Sequence, residues 1–260
     1  MDADNPYVRY EVGDGVATLT LDSPHNRNAI SSRLVSEVGQ GLRDAVEDDA
    51  VRVVVLTHTG NTFCAGADLS EASGTGGDPA ELAAQRTRQM TELLRGIVEL
   101  PKPVICHLNG HVRAGGMGLV GACDIAVAGP DSTFALTEVR LGLAASIISL
   151  TVLPRLDSRA ASRYFLTGEK FGSRIAEDIG LVTSASHDPA ETVDELVAQF
   201  MQASPQGLAE SKALTTRTVL DGFDRNGADL EAQSARLFGS EEAREGMMAF
   251  LQKRPPWWAR

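Results

Sequence analysis

The sequence predicts an α/β core followed by a helical C-terminal region. Three observations lead there. Short apolar, β-branched runs alternate with amphipathic stretches through the first half; the pattern from Ser158 onward is mostly helical; and a 43% hydrophobic content over 260 residues suffices for one sizeable core.

Val8 to Val12 and Val16 to Leu21 read as strands, and the Gly13-Asp14-Gly15 between them is a hairpin signal. Ser31 or Ser32 caps a helix to about Glu47, with Leu34, Val35, Val38, Leu42, Ala45 and Val46 at helical spacing. Residues 51 to 57, VRVVVLT, suit a buried strand. The small, polar, glycine-rich residues 70 to 78 read as a mobile loop, and Pro79 starts a helix to about Leu100. VICHL after Pro103 and DIAVA at 124 to 128 are two further buried strands. LTGEKF and GLV interrupt the helical second half only briefly, and Pro205 marks a break. The expected division is a core over 1–200 and a helical region over 201–260.

The charge balance narrows the partners. Lys and Arg number 24 against 35 Asp and Glu, for a net charge of −11 that repels nucleic-acid phosphates and anionic membranes. No run of about 18 apolar residues occurs, and the acidic, polar start lacks the pattern of a signal peptide, so the expectation is a cytoplasmic protein with no nucleic-acid or membrane partner. Cys64, Cys106 and Cys123 form no CxxC pair and read as reduced packing residues. His107 and His111 have i,i+4 spacing, but Asn109-Gly110 between them argues against the helix a metal pair needs, so no metal is expected.

Gly116-Met-Gly118-Leu-Val-Gly121 has the letters of a dinucleotide fingerprint. That fingerprint works when its glycine turn directly follows a strand and opens a helix toward a pyrophosphate. Here six residues, Asn109 to Ala114, separate the glycine stretch from VICHL, so NAD binding is not expected. A second stretch, NTFCAGADLS at 61 to 70, suggests a different use. Two glycine-containing loops, each following a buried strand, can converge two backbone N–H groups on one oxyanion.

At this point the chain resembles the crotonase (enoyl-CoA hydratase/isomerase) superfamily. The resemblance rests on NRNAIS, FCAGADL, NGHVRAGGMGLVGACDIAVAG, FALTEVRLGL, LTGEKF, GLV and the terminal EGMMAFLQKR, in that order. It implies a spiral of ββα turns, a helical C-terminal region used for trimerisation, and a coenzyme A thioester as substrate rather than any separate cofactor. It puts the oxyanion donors on the N–H groups of Ala67 and Gly115. It lays the coenzyme A along Arg27, Asn28, Ala29 and the run Ala65, Gly66, Ala67, Asp68 and Leu69, counts Gly116 among the substrate-binding residues, and puts Phe250 and Lys253 toward the nucleotide end.

Hydratases of this family usually carry two catalytic glutamates. The first falls on Gly118 and is therefore absent; the second falls on Glu138, which becomes the expected acid/base, its pKa raised by burial. The wording around Gly118 resembles a bacterial branch that includes methylglutaconyl-CoA hydratases, and the glycine is expected to clear room for a branched or longer acyl group. Arg113 is either a partner for a carboxylated acyl chain or a structural residue. The leading expectation is an enoyl-CoA hydratase forming trimers or dimers of trimers. An isomerase with a single glutamate and a non-catalytic acyl-CoA binding protein are the alternatives.

Overall fold

The computed structural model describes residues 5–68, 70–71 and 79–259. Leu69 and most of the expected 70–78 loop lie outside the described residues. The chain opens with β1 (Val8–Gly13) and β2 (Val16–Leu21), an antiparallel hairpin. Its turn residues Asp14 and Gly15 both have positive φ, as a two-residue hairpin requires. Helix α1 (Ser32–Glu47) follows, with Ser31 Oγ accepting the Leu34 N–H at 3.2 Å and Leu34, Val38, Leu42 and Ala45 on its buried face.

A repeat then runs three times: one strand in a large sheet, one short strand in a small sheet, and a helical segment. The first turn is β3 (Val53–His58), β4 (Thr62–Cys64) and α2 (Pro79–Glu99). The second is β5 (Val104–Leu108), β6 (His111–Arg113) and α3 (Gly115–Ala122). The third is β7 (Ile125–Ala128), β8 (Thr133–Ala135), a 3-10 turn over Glu138–Leu141 and α4 (Ser149–Val152). This is the spiral of ββα turns. After it come α5 (Ser158–Thr167), β9 (Phe171–Gly172), α6 (Ser173–Asp178), β10 (Ser184–Ala185), α7 (Pro189–Gln202), α8 (Pro205–Phe238) and α9 (Glu241–Leu251).

The large sheet has the order β1-β2-β3-β5-β7-β10, parallel from β2 onward; the small one has the order β4-β6-β8-β9, with β4, β6 and β8 parallel. The apolar run in β3 is explained by burial on both faces. Val54 and Leu56 face the main core, while Val53 and Val55 pack with Ile105, Val127 and Val193 of α7 on the other side. None of the described helices is long and apolar enough to cross a membrane.

The long helix α8 lies along α2 and is tied to the core by a buried ion pair. Lys212 Nζ sits 2.8 Å from Asp124 Oδ2 and donates to the carbonyls of Ile97 and Lys102. The other demand on Asp124 Oδ2 is the Val104 N–H, at 2.7 Å. Burial pushes the Asp124 carboxyl up and the Lys212 ammonium down, and their mutual attraction opposes both shifts. Removing one partner of such a pair leaves an uncompensated buried charge. Lys212→Met should therefore cost about 3 kcal/mol in urea unfolding, and Lys212→Met with Asp124→Asn should cost less than the single change. Additive losses would show that the two charges act independently.

Candidate active site

The two glycine loops meet. Gly66 has φ +90°, and a Cβ placed on it would lie 2.9 Å from the Ala114 methyl, so only glycine fits there on two counts. Ala114 has φ 48° and ψ −121°, a conformation a side-chain-bearing residue adopts only under constraint. It turns the chain sharply from β6 into α3 and makes Gly115 the first residue of that helix.

Both predicted donors are unspent. Ala67 forms a parallel bridge to Ile30 in which the Ile30 N–H donates to the Gly66 carbonyl and the Asp68 N–H donates to the Ile30 carbonyl. That pattern turns the N–H of Ala67 itself away from Ile30. Gly115 opens a helix, where the first N–H groups have no intrahelical acceptor. Among the described residues neither N–H donates a hydrogen bond. The dipole of α3 adds a positive end at the same place.

Glu138 reaches the same edge of the small sheet. Ala135, the last residue of β8, pairs with Arg113, and its carbonyl accepts the Ala114 N–H at 3.0 Å. Glu138 follows three residues later, which keeps its Cα within about 11 Å of Ala135 along the chain. Its Oε2 is buried and has no hydrogen-bond partner among the described residues. Burial pushes the carboxyl up to about 7, against a hydrogen bond from its own backbone N–H. A carboxyl of this kind is poised to exchange a proton near neutral pH.

Several of the residues expected to touch coenzyme A have side chains engaged in the scaffold. Asn28 is fully buried: its Oδ1 accepts the Ser23 N–H and its Nδ2 donates to the carbonyls of Thr59 and Thr62. Ala29 is buried as well. Gly116 faces Cys64, whose Cβ lies 2.7 Å from where a Gly116 Cβ would stand, and burial pushes the Cys64 thiol up to about 12, far from a reactive thiolate. Asp68 latches the loop by accepting Asn26 Nδ2 and both donors of Ser70. Arg27 is exposed in a left-handed conformation, and its carbonyl accepts the Ala65 N–H, so both are at hand beside the loop. Phe250 and Lys253 are exposed at the end of α9 and just beyond it.

One open reading is narrowed and one expectation needs correction. Arg113 points away from the site: its guanidinium runs back along β6 to the carbonyls of Val112 and Thr133 and the Thr133 hydroxyl. Thr133 pairs with His111 at the opposite end of β6 and β8 from Gly115 and Glu138, and His111 Nδ1 itself lies 3.0 Å from the Thr133 hydroxyl. Gly118 clears no room. A Cβ there would lie 2.5 Å from Ile148 Cγ2 and 3.3 Å from Leu94 Cδ1, so the space is already filled. Ile30 lies against Gly115, with Met90 beside it, and completes an apolar wall along α3. The sequence reading missed Ile30, Met90, Leu94 and Ile148. The bulky Ile147-Ile148 was the one signal that could have pointed to it.

Known proteins share the sequence pattern and the fold. A model of the enoyl-CoA hydratase/isomerase family matches residues 11–260. The chain belongs to that family. It is 59% identical to an enoyl-CoA hydratase from Mycobacterium avium of known crystal structure, with a TM-score of 0.90 over 99% of this chain and 100% of that one. It is 34% identical over 255 residues to a Bacillus subtilis (strain 168) protein named probable enoyl-CoA hydratase, covering 96% and 97% of the two chains. It is 31% identical over 255 residues to the 1,2-epoxyphenylacetyl-CoA isomerase of Escherichia coli (strain K12), again covering 96% and 97%.

The filled space at Gly118 makes a prediction about a second carboxylate. Gly118→Glu should lower the melting temperature and yield no gain in hydration, because the new side chain collides with Ile148. Combining it with Ile148→Gly should relieve the collision without restoring the stability, because a buried isoleucine is lost and the new carboxylate stays unpaired. A well-folded Gly118→Glu single variant with raised hydratase activity would show that the wall is not closed.

Proposed function

We propose that this family member hydrates enoyl-CoA thioesters, with Glu138 as the single acid/base and the N–H groups of Ala67 and Gly115 as the oxyanion hole. The observation that carries the reading is the buried Oε2 of Glu138, without a hydrogen-bond partner among the described residues, on a turn that follows the same edge of the small sheet as two unspent backbone donors. In the forward direction the ionised Glu138 takes a proton from water as its oxygen bonds to Cβ. The electron pair of the double bond moves toward the thioester oxygen, where the two N–H groups hold the charge. Glu138 then returns the proton to Cα, so one water is added and the carboxylate is regenerated. Coenzyme A enters and leaves as part of the substrate.

An uncharged acyl chain fits best. The wall formed by Ile30, Met90, Leu94 and Ile148 is apolar, and Arg113, the cation that a methylglutaconyl-type carboxylate would have met, is engaged elsewhere. The same wall favours a second reading, migration of a double bond. One carboxyl that removes a proton and returns it at another carbon needs no water beside Gly118, and the family that the chain matches is described as hydratase/isomerase. Retention of Glu138 argues against a protein that only binds acyl-CoA. A trimer is part of the proposal, supported by the exposed Leu214, Met248, Phe250 and Leu251 on α8 and α9.

Turnover of short enoyl-CoAs in ¹⁸O-labelled water tests both readings. Hydration puts the label in the product, whereas bond migration yields an unlabelled isomer. Glu138→Gln should cut turnover by about 10² to 10⁴ with thioester binding within a few-fold of the original. Because the carboxylate is the base and its pKa is raised to about 7, kcat/KM for hydration should fall as pH drops through that value. Near-full activity of Glu138→Gln would end the proposal.

A further inference from the structure

The turn that carries Glu138 is gripped from two sides. On one, Arg140 donates to the Thr167 carbonyl at the end of α5. On the other, α9 lies directly against the backbone. Gly142 closes the turn with φ +71° and donates its N–H to the Glu138 carbonyl. A Cβ on Gly142 would stand 2.6 Å from the Glu242 carbonyl carbon and 2.8 Å from the Ala243 nitrogen. One helical turn further along α9, a Cβ on Gly246 would stand 2.5 Å from the Leu141 carbonyl group. The two glycines therefore interlock reciprocally, each making room for the other element's main chain.

We propose that Gly142 and Gly246 are positioning residues, through which the C-terminal helix α9 fixes the Glu138 carboxyl relative to the oxyanion loops. The inference rests on the catalytic reading of Glu138 and assigns α9 a part in it. With no side chain between helix and turn, there is no rotamer that could absorb a displacement, and close-packed interiors transmit strain. The Glu138 carbonyl also accepts the Leu143 N–H, so the turn moves as one piece. Ala243 and Ala249, both buried on the same helix face, keep α9 close along its length. An added methyl at Gly246 has to push the turn away from α9 and carry Glu138 with it. Misplacement of a reacting group by about 1 Å can cost on the order of 100-fold in rate.

The test separates rate from binding. Gly246→Ala should lower kcat by about 10- to 100-fold, with the Kd of a saturated acyl-CoA within threefold. Gly142→Asn tolerates the left-handed backbone but still collides with α9, and it should behave alike. Val193→Ala, on the far side of the large sheet, serves as a control of comparable stability loss and should keep activity within about twofold. Native-state hydrogen exchange on the unaltered chain needs no folded variant: the amides of Arg140, Gly142 and Leu143 should open together with those of α9. Gly246→Ala with a kcat like the control's, or a turn that exchanges independently of α9, would overturn the interlock. An unaltered chain that binds and turns over no acyl-CoA would instead overturn the catalytic reading itself.

Discussion

The parallel pairing of three very short strands governs the candidate chemistry. β4, β6 and β8 are three residues each, and they run the same way in the small sheet. Ala67 follows the end of β4, Gly115 the end of β6 and Glu138 the end of β8. Parallel strands place their C-terminal ends on one edge, where open α/β sheets commonly bind ligands. Three residues spread over 72 positions of sequence are thereby gathered at one place. The large sheet and its helices supply the burial that three-residue strands could not provide for themselves.

The site contains features that oppose folding. Ala114 has a positive φ, a strain of about 1–3 kcal/mol for a residue with a side chain. Glu138 keeps out of water an oxygen that has no hydrogen-bond partner among the described residues. Such features persist where the surroundings over-determine the structure, and here the surroundings are specific: the Gly66–Ala114 contact, the Ala114 bond to Ala135, and the Asn28 side chain that ties Ser23 to Thr59 and Thr62. The Asn28 side chain thus braces the loops around the site. The same division explains Gly116, whose lack of a side chain lets α3 settle on Cys64.

Much of this was legible in the sequence, for physical reasons that differ by element. The strands of the large sheet announce themselves because burial on both faces demands continuous apolar runs, as in β3, and α1 does so through its spacing and its serine cap. Strands of three residues carry no periodicity, so the sequence reading places no strand at β4, β6 or β8. Gly118 was read as open space because a sequence shows the missing side chain but not Ile148, 30 residues on, that fills it. Arg113 was ambiguous for a similar reason. Its position beside the glycines says where its backbone is, while the long side chain runs back to Thr133.

The central claim is that Glu138 is a buried carboxyl held near neutrality at the edge where the oxyanion donors converge. Infrared difference spectra of the unaltered chain against Glu138→Gln, taken from about pH 4 to about pH 9, read its protonation directly through the carboxylic-acid carbonyl stretch. A midpoint near 7 is expected, with the acid band still present well above the ordinary value of 4.5. A midpoint at that ordinary value would mean that the carboxyl is solvated, and would contradict the account.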